Sequence, residues 1–238
     1  MKTAIDKLGG DVDTIGVSSA GVYIDNEIKV SSLFIKVPKD DFNKHCKTAY
    51  LDVRNRLEKE LGHKIPIEVA NDGDVTALAG AIDLKTGSVL GIAMGTSEAV
   101  GYVNKDGNLN GWISELAFAP VDFNKNAMVD EWSGDYGVGC KYFSQDAVIK
   151  LCKPAGIELD DKLSLAEKLK YVQGLHENGD QRAKEIFETI GVCLAHTLAY
   201  YQEFYDIKHV LLLGRVTSGI GGDIILDVCK QTIKDIYP

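Results

Sequence analysis

Three short stretches place chemically able residues where a strand stops. Asn71-Asp72-Gly73-Asp74 follows an apolar run over residues 65–70 and precedes a helical pattern over residues 75–82. A carboxylate at such a junction is held on a rigid scaffold at the mouth of a cleft, because open α/β sheets bind ligands beyond the carboxyl ends of their strands. The same residues also suit a helix cap, in which Asn71 or Asp72 accepts a hydrogen bond from the first turn and does no chemistry. Gly95-Thr96-Ser97 is a tight turn between two apolar runs, and backbone N–H groups with a hydroxyl in such a turn can hold phosphate oxygens. Gly214-Arg215-Val216-Thr217-Ser218-Gly219 leads from the apolar run 209–213 into a helix, whose first amides and dipole favour an anion or a nucleotide edge. Neither loop is a Walker A sequence or a G-x-G-x-x-G fingerprint. Taken in this order, the stretches describe phosphoryl transfer between two domains.

The elements that must position them are legible from periodicity. Residues 13–18 read as a strand running into the small-residue loop Ser19-Ala20-Gly21, which suits either close approach of a ligand or a plain turn. Residues 22–37 read as extended structure around an Asp25-Asn26 turn, and Pro38 stops it. Cys46, Ala49, Tyr50, Val53, Leu57 and Leu61 recur at three- and four-residue steps and give a helix over residues 43–61, with Gly62 in the C-cap position. Thr86-Gly87 marks a break, and the domains are expected to be residues 1–86 and 87–238. Strands are expected over residues 88–94 and 99–103, followed by an Asn104–Gly107 hairpin signal and a third strand within residues 112–118. Helices are expected over about residues 144–152, 164–173 and 180–205, the last with Ile186, Ile190, Cys193, Thr197 and Tyr201 on one stripe. After the loop at 214–219 a helix should turn Ile225, Cys229 and Ile233 inward. His196, within the long helix, reads as an interior histidine, and Trp112, Trp132, Phe118 and Phe123 read as packing residues.

Composition bounds the rest. A chain of 238 residues with 45% hydrophobic and 26% charged content is an ordinary globular protein. Its net charge of −9 argues against nucleic acid or an anionic membrane as a partner. No apolar stretch approaches the ~20 residues that span a bilayer. The residues from Met1 lack the apolar core of a signal peptide, and five scattered cysteines with no C-x-x-C pair suit reduced thiols, so a cytoplasmic location is expected.

The ordered set of motifs resembles the ROK family of sugar kinases and regulators, within the superfamily of actin-like ATPases. Gly16-Val17-Ser18-Ser19-Ala20-Gly21 resembles the family's G-V-x-G-P loop, and Asn71-Asp72-Gly73-Asp74 its N-D-A-N element. Gly95-Thr96-Ser97 sits in a stretch similar to the G-T-G-x-G-G-G phosphate hairpin. Ser114-Glu115-Leu116-Ala117-Phe118 falls at G-E-x-G-H, and Gly137-Val138-Gly139-Cys140 near the end of C-x-C-G-x-x-G-C. Val210 to Gly219 resembles the V-x-G-G-G-V-S-x-A-G adenosine loop. The resemblance implies an α/β, actin-like ATPase (ribonuclease H-like) fold of two lobes. It implies an ATP- and Mg²⁺-dependent kinase acting on a hexose-type hydroxyl, with Asp72 as general base. Asn71, Glu115 and Gly21 would bind the sugar. Gly95, Thr96 and Ser97 would meet the phosphates, and Gly214, Arg215 and Gly219 would line the nucleotide pocket.

Departures from the family pattern shape further expectations. The D-x-G-x-T phosphate-loop hairpin and the last strand–helix have no counterpart here, which would leave apolar surface exposed and favour a homodimer. Ser97, Ala99 and Val100 replace glycines of the phosphate hairpin. Phe118 stands at the family histidine and Cys140 alone remains of the clustered cysteines, so no zinc is expected. Tyr142 stands where a glutamate often binds sugar. The second reading is therefore a catalytically silent sugar-binding sensor or regulator on the same scaffold, without the helix-turn-helix that would read DNA.

Overall fold

The structure is a computed structural model that describes residues 1–109 and 115–237. The chain divides into two compact units, Met1–Val75 and Thr76–Pro238, so the division falls inside a helix. The lobe boundary read from the sequence, after residue 86, follows that whole helix.

The first unit opens with helix α1 (Lys2–Lys7) and strand β1 (Ile15–Ser19). Strands β2 (Val22–Ile24) and β3 (Glu27–Val30) form an antiparallel hairpin, turned by Asp25 and Asn26 at φ 53° and 63°. Asx residues tolerate this left-handed region because their side chains bond locally. Residues 34–37, expected to be extended, instead leave a 3-10 turn (Ser32–Phe34), and Phe34 N–H and Val37 N–H close successive turns on Ser31 and Phe34 carbonyls. Alternation over so short a run does not outweigh a turn closed by its own backbone. The helix expected from residue 43 is broken. Helix α2 (Lys39–Asp41) runs into a π turn (Phe42–Cys46), and only then does α3 (Ala49–Leu61) begin. It ends at Gly62, at φ 80°, as the sequence indicated. Strand β4 (Ile67–Asn71) pairs in parallel with β1, Ile15 opposite Ile67 and Ser19 opposite Asn71. Ile5, Leu57 and Ile65 form the small core beside Val12, Ile15 and Leu61, while Val53 is left outside it.

Helix α4 (Asp72–Leu84) leaves β4 and carries the chain into the second unit. There β5 (Val89–Met94) and β6 (Glu98–Val103) pair antiparallel, Met94 opposite Glu98. After α5 (Gln145–Cys152), α6 (Leu165–Glu177) and α7 (Gln181–Gln202), strand β7 (His209–Leu213) adds in parallel to β5, giving the order β6-β5-β7. Helix α8 (Ile220–Ile236) follows.

The central strand β5 is apolar throughout because both faces are covered. Val89 packs with Ala77, Ala81 and Val103 on the α4 side, and a Cβ on Gly91 would lie 2.8 Å from the Ala77 nitrogen, so the helix can sit this close only over glycine. Leu90, Ile92 and Met94 point to the other face, into the main core with Phe143, Val148, Leu169, Phe187, Ile190 and Ile225. The stripe of α7 is as expected: Ile186, Ile190, Thr197 and Tyr201 are buried and Cys193 is half-buried. Ser144, Ser164 and Asp180 cap α5, α6 and α7, and Ser164 forms a reciprocal capping box with Glu167. His196 departs from expectation. It is exposed, and its Nδ1 lies 2.6 Å from the Tyr237 hydroxyl, because the helix turns this position away from the core.

Of the third strand expected within residues 112–118, residues 112–114 lie outside the described residues, as do Trp112 and Ser114. Residues 116–118 form a 3-10 turn (Leu116–Phe118) packed against β6. No helix among the described residues is long and apolar enough to cross a membrane.

Candidate phosphate-turn and carboxylate sites

In the first unit the parallel pairing of β1 and β4 brings two loops to one edge. Ser19 pairs with Asn71, so Ser19-Ala20-Gly21 and Asn71-Asp72 leave the carboxyl ends of neighbouring strands together. Asn71 ties them: its Nδ2 donates to the Gly21 carbonyl at 2.8 Å, and its Oδ1 accepts the Gly73 N–H at 2.7 Å. The cap role thus falls to Asn71. Asp72 is the first residue of α4, and its carboxyl has no hydrogen-bond or ion-pair partner among the described residues. Gly21 has φ 133°, and a Cβ there would lie 2.4 Å from the Val30 carbonyl. Only glycine fits that approach of the loop to the β2–β3 hairpin. The Ala20 carbonyl accepts from the hydroxyls of Tyr23 (2.9 Å) and Ser31 (2.7 Å), and Ser19 and Tyr50 share a hydroxyl bond of 2.9 Å.

In the second unit the same principle operates at β5 and β7. Gly95-Thr96-Ser97 turns β5 into β6: Gly95 N–H donates to the Ser97 carbonyl at 3.0 Å, and the Gly95 carbonyl accepts the Gln145 N–H at 2.9 Å. Thr96 and Ser97 are exposed, with no hydroxyl bond among the described residues. Residues 214–219 hang on the end of β5. Val216 N–H donates to the Met94 carbonyl at 3.2 Å, and Gly214, at φ 108°, would put a Cβ 2.4 Å from that same oxygen. The Gly95-Thr96-Ser97 turn and the glycine-bounded loop are therefore adjacent, two strand ends of one parallel pair. Val216 is buried, the Arg215 side chain is exposed, and Gly219 at φ 70° starts α8.

Glu115 precedes the 3-10 turn at 116–118 and is half-buried and engaged. Phe118 packs with Ala117, Val138 and Cys140, as expected. Trp132 and Phe123 do not pack inside: they are 59% and 76% exposed, each beside one other ring, Phe118 and Tyr200, with centroids 5.3 and 6.2 Å apart. Both sit on irregular loops that offer too little apolar surface to cover them. Tyr142 donates its hydroxyl to Asp122 and accepts the Met128 N–H at 3.2 Å.

A cluster of charged groups around Lys141 carried no signal in the sequence. Lys141, with its side chain 10% exposed, reaches Asp130 at 3.2 Å, Glu131 at 2.5 Å and Asp146 at 2.9 Å. Burial works against its charge, yet the carboxylates of Glu131, Asp146 and Asp130 outweigh it and hold its pKa above the usual lysine range. Hydrogen bonds from Lys141 and Lys150 hold Glu131 down at about 2. Burial, with Asp130 adding to it, pushes the Cys140 thiol up to about 12, so it stays a thiol. Among the described residues no three His, Cys, Asp or Glu side chains gather as a metal would need.

Glu98, directly after the Gly95-Thr96-Ser97 turn, is 5% exposed, with neither carboxyl oxygen hydrogen-bonded among the described residues. A Cβ on Gly139 would lie 2.4 Å from its Oε2. Burial raises its pKa well above the ordinary carboxylate value, because it disfavours the charged form. The sign follows from linkage. The folded chain keeps this proton at pH values where the unfolded chain has lost it. Stability therefore falls as pH rises above the unfolded pKa of ~4.3, by about 1.4 kcal/mol per unit until the folded pKa is reached. Glu98→Met should remove that loss. Urea unfolding at about pH 5 and about pH 8 should show the variant gaining on the wild type with rising pH. Parallel profiles would show that Glu98 carries no such proton.

No protein-family model and no curated protein matches the chain. Solved structures do. A ROK hexokinase from Thermus thermophilus is 16% identical, with a TM-score of 0.66 over 98% of this chain and 74% of that one. A ROK family glucokinase from Streptomyces griseus, in complex with glucose and AMPPNP, is 19% identical, with a TM-score of 0.68 over 98% of this chain and 75% of that one. A ROK family transcriptional regulator, a homologue of the E. coli MLC protein, is 16% identical, with a TM-score of 0.68 over 98% of this chain and 57% of that one. These likenesses show the fold, the actin-like ATPase fold that the ordered motifs implied.

Proposed function

We propose that the chain is a ROK-like carbohydrate kinase that transfers a phosphoryl group from ATP to a hydroxyl of a hexose-type sugar. The observation that carries this reading is the adjacency of the Gly95-Thr96-Ser97 turn and the 214–219 loop through the Met94 carbonyl, on a fold shared with sugar kinases. Gly95, Thr96 and Ser97 would meet the phosphates, the two hydroxyls being unspent, and Gly214, Arg215 and Gly219 would line the nucleoside side. Mg²⁺ would arrive with the nucleotide, since this ion is bound mainly through substrate phosphates and few carboxylates, and would spread the charge that develops on the transferred group. Asn71, Gly21 and Glu115 would hold sugar hydroxyls. Asp72 would take the proton from the attacking one, its carboxyl being uncommitted among the described residues. Catalysis of this kind is mostly positioning and charge stabilisation. The lobes are proposed as residues 1–86 and 87–238, in a cytoplasmic homodimer.

A regulator among the matched structures favours a second reading: a sugar-binding sensor without turnover. One experiment separates them. ATP consumption is measured with a panel of hexoses and amino-sugars, alongside the melting temperature with each sugar. The kinase reading expects turnover with at least one sugar. A sugar-dependent rise in melting temperature without turnover for any of them would favour the sensor and overturn the kinase.

A further inference from the structure

We propose that Gln173, on α6, is a positioning residue for nucleotide: it clamps the 214–219 loop in the shape that receives ATP. The inference rests on the reading of that loop as the nucleotide loop. The Gln173 Nε2 donates to the Arg215 carbonyl at 3.0 Å and to the Ser218 carbonyl at 3.3 Å, so one amide group bridges two residues within the loop. Most other ties at the loop are internal or come from backbone. The hydroxyls of Thr217 and Ser218 both donate to the Gly214 carbonyl, at 3.1 and 3.0 Å, and Val216 N–H reaches the Met94 carbonyl. Among the described residues Gln173 is the side chain from another element that hydrogen-bonds this loop.

Its own position is fixed. Leu169 and Val172 on the same helix are buried in the main core, and the Ser164–Glu167 capping box sets where the helix starts. A helix anchored in the core thus transmits its position to an exposed loop through two hydrogen bonds. The loop in turn bonds the residue immediately before the phosphate turn. Losing the amide frees the 215–218 carbonyls to turn toward water, which leaves the core intact but widens the set of loop shapes. The cost then appears in nucleotide affinity, because only a fraction of molecules hold the competent shape. Two ordinary hydrogen bonds correspond to a loss of about tenfold in affinity.

The test uses the full chain and a fluorescent ATP analogue. Gln173→Met keeps length and removes the donors; Gln173→Lys keeps a donor, and is read at high ionic strength so that its charge is screened. The expected result is about tenfold weaker nucleotide binding in Gln173→Met, recovery within about threefold in Gln173→Lys, unchanged sugar affinity, and faster amide exchange confined to residues 214–223. Equal nucleotide affinity in Gln173→Met and wild type overturns the role of Gln173 while leaving the nucleotide reading standing. A wild type that binds no ATP analogue overturns both. Sugar affinity falling in parallel with nucleotide affinity also overturns the proposal, because it marks a general loss of structure.

Discussion

Lys141→Ala should lower the unfolding free energy by about 3–5 kcal/mol, the cost of stranding a buried carboxylate without its counter-charge. Two features set this pair apart from the surface ion pairs elsewhere on the chain, which are worth ~0–1 kcal/mol each. The side chains of Lys141 and Asp130 are 10% and 9% exposed, so solvent screens them little. The ammonium also serves residues far apart in sequence: Asp130 and Glu131 before the 3-10 turn at 139–141, and Asp146 in the first turn of α5. In the segment where the family resemblance puts zinc ligands, the cross-link is thus an ammonium bridging carboxylates. Removing it loosens Gly139, whose close approach to Glu98 leaves no room for a side chain, and so reaches the strand that leaves the 95–97 turn. Urea unfolding of Lys141→Ala, Asp130→Asn and the double variant checks the claim, and the two losses should not add. A cost under about 1 kcal/mol for Lys141→Ala would place the cluster with the surface pairs. A chelator should leave the melting temperature of the wild type unchanged. The pH dependence has the opposite sign to that of Glu98. Glu131 is held at about 2, below its unfolded value, so what its pairing contributes is present at neutral pH and is lost as pH falls toward 2.

The contrast between these carboxyl groups explains what the sequence could and could not disclose. The strand β5 and the stripe on α7 were legible because burial on a sheet or helix face leaves a period in the residue types. The starts of α5, α6 and α7 near Ser144, Ser164 and Asp180 and the end of α3 at Gly62 were legible too, since those residue types suit the local geometry of helix ends. Positions decided by distant partners left no such mark. Glu98 stands just before the strand read over residues 99–103, and nothing local says that the 139–141 turn will close over it. Gln173 and Lys141 are ordinary helix and loop residues until the chain folds back on them. The π turn at 42–46 and the exposed His196 are failures of another kind: the three- and four-residue spacing was present in both regions, but tertiary packing chose which turns to bury. Of the candidate site, the sequence supplied the strand-end loops and their order. Their pairing, Gly21 with Asn71 and Gly95 with 214–219, came from parallel strand registers that no local pattern encodes.

Asp72→Asn should cut the turnover number about 10²–10⁴-fold, the usual contribution of a positioned general base, while the KM for sugar changes little. The choice between base and cap can now be put to separate residues. Asn71 spends its amide on the Gly21 carbonyl and its carbonyl on the Gly73 N–H, so Asn71→Ala should cost ~0.5–2 kcal/mol of stability as a lost cap does. Asp72 gives the fold far less. Its negative charge in the first turn of α4 complements the helix dipole, worth ~0.3–1 kcal/mol, and Asp74 in the same turn shares that role. Asparagine at 72 keeps the size and polarity of the side chain and removes only its charge and basicity. A melting temperature within about 4 °C of the wild type, with turnover almost gone, is the result expected of a base. The reverse pattern, unchanged turnover with a stability loss like that of Asn71→Ala, would make the Asn-Asp pair a helix start and nothing more. The aspartate would then leave the phosphoryl-transfer mechanism, because a carboxyl that can be neutralised without slowing the reaction takes no proton from the attacking hydroxyl.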